Sequence, residues 1–254
     1  MKARIILIAA CAIAVYLPLE STAQCAGGCG RGQAGMSMQN QQGKPGQGMG
    51  YGKGAQRGAA TQSEVFRCDE VLAEFPKEAL SDAERQSLVR MREEEKLARD
   101  VYTVLYRKWK LPIFNNILTS ENRHMEAMAC LLARYNLPDP VSKQKEGIFT
   151  NKDLQKAYDV LVREGSANVD AALRTGAYIE DLDIFDLEAA LKVADNADIQ
   201  AVYRDLAAAS GNHIRAFSRQ LAQRGASYMP KMLTQEAYDA VLATAHQRCD
   251  RLHP

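Results

Sequence analysis

Long apolar runs are scarce in this chain of 254 residues. The only conspicuous one, Ile5 to Leu17, is too short and too early for a membrane-spanning helix, which needs about 20 residues. Excess charge of either sign is also missing. Lys and Arg total 32 against 31 Asp and Glu, a net charge of +1, and the charges are mixed along the chain rather than gathered in a basic block. That balance argues against nucleic acid as a partner. No Cys-x-x-Cys pair occurs, so no rubredoxin-type electron-transfer module is visible, and a reductant, if the chemistry needs one, is expected from an external electron donor. Strand signals are few, and no long-period repeat of the solenoid type is present. The hydrophobic content of 46% is enough for one well-buried domain with extensions.

The ends of the chain differ from its middle. Lys2 and Arg4 precede the Ile5–Leu17 run, and the small residues Ser21, Thr22 and Ala23 follow it. This is the order of an export signal, which predicts a signal peptide over 1–23 and a periplasmic or secreted mature protein without a stable membrane anchor. Residues 24–63 are rich in Gly and Gln with scarcely any aliphatic side chains, the composition of a disordered tail. Cys25, Cys29, Met36, Met38 and Met49 in that tail are soft metal ligands, although low-complexity composition also accounts for them. The predicted folded domain covers 64–254. Cys68 and Cys249 bracket it and could form a staple in an oxidising compartment, with two unpaired thiols as the alternative. Cys130, beside a core stripe, is expected to be a buried inert thiol.

From about Ser63 onward the periodicity is helical. A first long helix opens at Ser81, with Glu84 three residues later as in a capping box, and ends before Pro112. A second runs from about Ile113 to Asn136, before Pro138 and Pro140. A connection of nearly thirty residues follows, holding a short helix over 151–165. Ser166 is expected to open a third long helix ending near 194–198. A fourth runs from about Asp198 to Arg224 and stops at Gly225. A shorter last helix is predicted within 233–249.

The core stripes of the four long helices share one anomaly. Read at spacings of three and four, the first gives Leu88, Met91, Glu95, Ala98, Tyr102, Leu105 and Trp109. The second gives Ile117, Glu121, His124, Met128, Leu131 and Tyr135. The third gives Leu173, Ala177, Glu180, Ile184, Leu187 and Leu191, and the fourth Ile199, Val202, Leu206, Ala209, His213 and Phe217. Each stripe is apolar at both ends and ionisable near its middle. An unpaired buried carboxylate costs several kcal/mol, so four interruptions that fall at similar heights call for a shared purpose. Glu121 and His124, in "SENRHMEAM" (120–128), form the Glu-x-x-His pattern that holds metal pairs in helical bundles. Glu95, Glu180 and His213 join them, and Asp183 lies one turn beyond Glu180. Four carboxylates and two imidazoles would balance two divalent cations.

With "EEEKLARDVY" (93–102), "GAYIEDLDIFDL" (176–187) and "GNHIRAF" (211–217) added, residues 80–238 resemble ferritin-like proteins of the ferritin/rubrerythrin superfamily. The likeness is strongest to an uncharacterised domain family of bacteria and archaea. The resemblance implies an all-α, ferritin-like four-helix bundle with a long crossover between its second and third long helices and an extra C-terminal helix. It implies a centre of two iron or manganese ions held by Glu95, Glu121, His124, Glu180, Asp183 and His213, reacting with oxygen or peroxide. Ser210 departs from the pattern, since a second Glu-x-x-His would place Glu there, and Asp183 is the substitute carboxylate from the neighbouring helix. Tyr102 reads as packed core, and His246 and His253 as surface residues. A non-catalytic metal-sequestering protein and a metal-free helical interaction module are the alternative functions.

Overall fold

The computed structural model describes residues 72–247. Among them are six helices and no strand: α1 (Asp82–Trp109), α2 (Pro112–Arg134), α3 (Lys152–Gly165), α4 (Val169–Leu191), α5 (Ala197–Gln223) and α6 (Gln235–Ala243). The expected signal peptide, the Gly/Gln-rich segment with its soft ligands, the expected Cys68–Cys249 pairing and His253 all fall outside the described residues.

Local chemistry explains the helix ends. Ser81 and Glu84 form the capping box at α1: the Ser81 hydroxyl accepts from Glu84 N–H at 3.2 Å, and Glu84 accepts from Ser81 N–H at 2.9 Å. Pro112 is the first residue of α2 rather than a spacer before it, because its missing N–H would have no partner in a first turn anyway. Ser166 does not open α4. It caps the C-terminal end of α3, and Asn168 caps α4 by accepting from Ala171 N–H at 2.8 Å. At the end of α5, Gly225 adopts φ +71°, and Ala226 N–H reaches back to Leu221 O at 2.9 Å. The last helix is shorter than the sequence pattern suggests, ending at Ala243.

Two hairpins of helices build the core. The α1–α2 connection is so short that α2 runs back along α1: Tyr102 meets Phe114 near the turn, and Glu95 meets His124 farther from it. The α4–α5 pair is likewise antiparallel, with Glu180 against His213 and Asp183 against Ser210. Gly176 of α4 lets the Phe217 ring approach so closely that a Cβ at 176 would stand 2.3 Å from it. Of the predicted stripe residues all are buried except Trp109 and Leu191, which are half-buried. The apolar core falls into two clusters, one around Tyr102, Phe114 and Phe217 and the other around Met91, Met128 and Leu206, each drawing on α1, α2, α4 and α5. Along α1, α2 and α5 the ionisable residues lie where one cluster gives way to the other, and on α4 Glu180 lies among the last residues of the first cluster, two turns before Leu187 of the second.

The connection between α2 and α4 is pinned to α1. Arg92 bonds Met125 O at 2.5 Å and Asp139 Oδ2 at 2.8 Å. Buried Lys96 pairs with Asp100 at 2.5 Å, donates to Lys145 O and Ile148 O, and lies 4.1 Å from the Phe149 ring centre. All of Lys96's donors are used, which is what makes a buried ammonium tolerable.

Candidate metal centre

The polar layer between the two apolar clusters is built from one side chain of α1, two of α2, one of α4 and one of α5. His124 Nδ1 stands 3.2 Å from Glu95 Oε2 and 3.1 Å from Glu121 Oε2. His213 Nδ1 stands 3.2 Å from both Glu121 Oε1 and Glu180 Oε2. The two imidazoles stack with centroids 5.8 Å apart. Glu121 therefore belongs to two triads at once, giving one oxygen to Glu95 and His124 and the other to Glu180 and His213. Within each triad one ligand atom per residue lies within 4.8 Å of the others. All five side chains are at least nine-tenths buried.

Asp183 is a member of neither triad. Its Oδ2 accepts from the Ser210 hydroxyl at 2.5 Å, and the residue is half-buried. The structure thus brings Glu95, Glu121, His124, Glu180 and His213 into two triads, while the Asp183 carboxylate is tied to the serine that stands where a second Glu-x-x-His would have its glutamate.

The charges are strongly coupled. Burial pushes the Glu95 carboxyl up to about 7, against the pull of His124. Burial acts the same way on Glu121, but the two imidazoles outweigh it and hold that carboxyl well below the usual range. Burial alone would lower both histidines. The carboxylates around them win, raising His124 well above its ordinary value and His213 to about 9. Asp183 is raised well above a normal aspartate by burial and by the charges of Glu95, Glu180 and Glu121. Glu95 Oε1 is buried and accepts no hydrogen bond among the described residues.

Three neighbours act on this layer without appearing in the stripe as polar residues. The Tyr102 hydroxyl donates to Glu180 Oε1 at 2.5 Å and lies 3.2 Å from Gly176 O, so the residue is both packed core and a partner of the site. Ser120 Oγ lies 3.2 Å from His124 Nε2, opposite the face turned to the carboxylates. Ser210 holds Asp183. The available signal was spacing: Ser120 lies four residues before His124, and Tyr102 seven after Glu95, which puts each on the same helix face.

Residues 84–245 match a family described as an uncharacterized protein domain, DUF2202. The chain belongs to the DUF2202 family. Uncharacterized protein MJ0754 of Methanocaldococcus jannaschii is 46% identical over 179 residues, 70% of this chain and 97% of the relative. The crystal structure of hypothetical protein MJ0754 superposes with a TM-score of 0.66 at 46% identity, covering 68% of this chain and 98% of that one. Residues 1–83 lie outside the DUF2202 region, whereas the whole polar layer lies inside it.

The single cysteine of the described residues corrects one expectation. Cys130 of α2 is not an inert thiol: it is disulfide-bonded. Its position beside the stripe was read correctly, but burial by itself does not distinguish a thiol from a half-cystine.

Proposed function

We propose that this protein is an exported ferritin-like protein whose polar layer holds two divalent metal ions, iron or manganese, in two positions sharing Glu121. In this reading α1, α2, α4 and α5 are the four-helix bundle, α3 sits in its long crossover and α6 is the added helix. The observation that carries it is the pair of triads meeting at one glutamate. Two ligands about 2.1 Å from one ion lie at most about 4.2 Å apart, so triads already gathered within 4.8 Å need only slight tightening. The donor set of carboxylate oxygens and imidazole nitrogens suits iron, manganese or zinc. Glu95 Oε1, buried and without a hydrogen bond, is an acceptor that an ion would satisfy.

Glu95, Glu121 and His124 would hold one ion, and Glu121, Glu180 and His213 the other. An iron or manganese pair there would supply electron transfer to oxygen or peroxide. The chain's own contribution is placement. Glu121 fixes the two positions relative to each other, Tyr102 orients Glu180, and Ser120 turns the Nδ1 face of His124 toward the carboxylates. The apolar clusters above and below shield the layer from water. The Cys130 disulfide supports an oxidising compartment, in keeping with export.

The test is anaerobic loading of the purified protein with Fe(II) or Mn(II), followed by metal counting. Two ions per chain in wild type and none in Glu121→Ala is the expected result. Wild type that retains no iron, manganese or zinc above trace refutes the reading. Oxygen or peroxide uptake by the iron-loaded protein over many turnovers then identifies an oxidoreductase. Stoichiometric binding without turnover identifies a sequestering protein.

A further inference from the structure

We propose that Ser210 is a positioning residue that holds the Asp183 carboxylate at the centre as its fourth acidic group. The proposal rests on the metal-centre reading above and adds to it the origin of the missing charge. On α2 the residues three apart are Glu121 and His124, and on α5 the same spacing carries Ser210 and His213. A serine hydroxyl brings no charge to that position. It brings a hydrogen bond, 2.5 Å long, to an aspartate of the neighbouring helix. Asp183 is one turn from Glu180, and Ser210 one turn from His213, so the bonded pair lies one turn away from the Glu180–His213 pair along both helices.

The hydroxyl has two acceptors, Asp183 Oδ2 at 2.5 Å and Leu206 O at 3.1 Å, but a single proton. The closer acceptor, Asp183 Oδ2, takes it. With Oδ2 so engaged, Oδ1 is the oxygen left for an ion. The carboxylates of the two triads total three negative charges, one short of two divalent cations. Asp183 closes that difference, and it already feels the fields of Glu95, Glu180 and Glu121. Its hydrogen bond to Ser210 would keep the carboxylate one turn from the Glu180–His213 pair, where Asp183 could join in holding an ion.

Cobalt(II) titrations, followed by calorimetry and by the visible absorption of the bound ion, test this in wild type, Ser210→Ala, Ser210→Thr and Asp183→Asn. Wild type is expected to bind two ions. Asp183→Asn should lose the second ion or bind it about tenfold or more weakly, the range seen when groups supporting metal ligands are removed. Ser210→Ala should change affinity and spectrum in the same direction, and Ser210→Thr, which keeps the hydroxyl, should restore both. Metal-free melting curves identify any variant that has simply misfolded, and Asp183→Asn, nearly isosteric, keeps the test open if Ser210→Ala does. Wild-type affinity and spectrum in both Ser210→Ala and Asp183→Asn, with binding abolished in Glu121→Ala, overturns the role of Ser210 and leaves the centre standing. A wild type that takes up no cobalt overturns the centre and this proposal together.

Discussion

Replacing Glu84 by glutamine keeps the side chain's shape and removes its charge. Glu84 is fully buried, and its carboxylate joins the start of α1 to the α4–α5 turn. Oε1 accepts from the N–H of Asp195 at 3.1 Å, and from the N–H and side-chain amide of Asn196, each at 3.0 Å. Oε2 accepts from the N–H and hydroxyl of Ser81, each at 2.9 Å. Burial pushes this carboxyl up, but the hydrogen bonds from Asn196 and Ser81 outweigh it and hold the pKa at about 2 against an ordinary 4.5. That difference corresponds to about 3 kcal/mol of stability. Because the folded value is the depressed one, this stability is fully present above pH 4.5 and is lost as pH falls through about 2. Glu84→Gln is therefore expected to cost about 3 kcal/mol at pH 7, or roughly 6–12 °C in Tm for a domain of this size. The difference between wild type and variant should narrow below pH 4.5 and close near pH 2. Thermal melts of both proteins by circular dichroism from pH 7 to pH 2.5 measure it. A difference under about 1 kcal/mol at pH 7, or one that does not narrow in acid, refutes the reasoning.

Gly176→Ala should destabilise by about 1–3 kcal/mol, since its Cβ would meet the Phe217 ring at 2.3 Å between tightly packed helices; a denaturant midpoint equal to wild type would contradict the close approach. Tyr102→Phe should cost about 1–3 kcal/mol in the metal-free protein by leaving Glu180 Oε1 without its donor, and urea titration in chelator would show whether the bond matters.

Helix existence and the central layer were legible because one physical rule, apolar spacing of three and four, governs both. Glu95, Glu121, Glu180 and His213 stood out as violations of that rule, and the structure buries them together. The rule fails where a second surface covers a helix. Glu93, Glu94 and Lys96 lie off the stripe of α1, yet all three are buried. The α2–α4 connection covers Lys96, while Arg90 and Asp186 close over Glu94, with Arg90 Nη2 2.6 Å from Glu94 Oε1. No local pattern announces which outer face a long crossover will cover. The start of α1 was read well at Ser81, where Glu84 three residues on completes the capping box. At Ser166 the sequence offered a serine and, two residues on, an asparagine, and only the α3 terminus decides which of them caps α4. Asp183 illustrates a third limit: spacing put it on the inner side of α4, but its hydrogen bond to Ser210 depends on the distance between helices.

The polar layer itself offers the sharpest test between a structural and a functional origin. A buried network of three carboxylates and two imidazoles gains little net stability, because desolvation offsets most of its internal attraction. Removing a single member is strongly destabilising all the same, since partners are left charged and unpaired. Loss of stability in His124→Ala therefore says nothing about purpose. Replacing the whole layer does. A variant carrying Glu95→Met, Glu121→Met, Glu180→Met, His124→Leu and His213→Leu fills the same space with apolar groups, and Tyr102 keeps the Gly176 carbonyl at 3.2 Å as an acceptor. Measured in chelator, this variant should be more stable than metal-free wild type by about 1–4 kcal/mol, as in other buried ionic networks exchanged for hydrophobic ones. Metal should reverse the order: an ion present at a thousandfold excess over its Kd adds about 4 kcal/mol per site to wild type and nothing to the variant. If the apolar variant is instead less stable than metal-free wild type, and metal changes neither, the layer holds the helices together for its own sake and the metal reading fails.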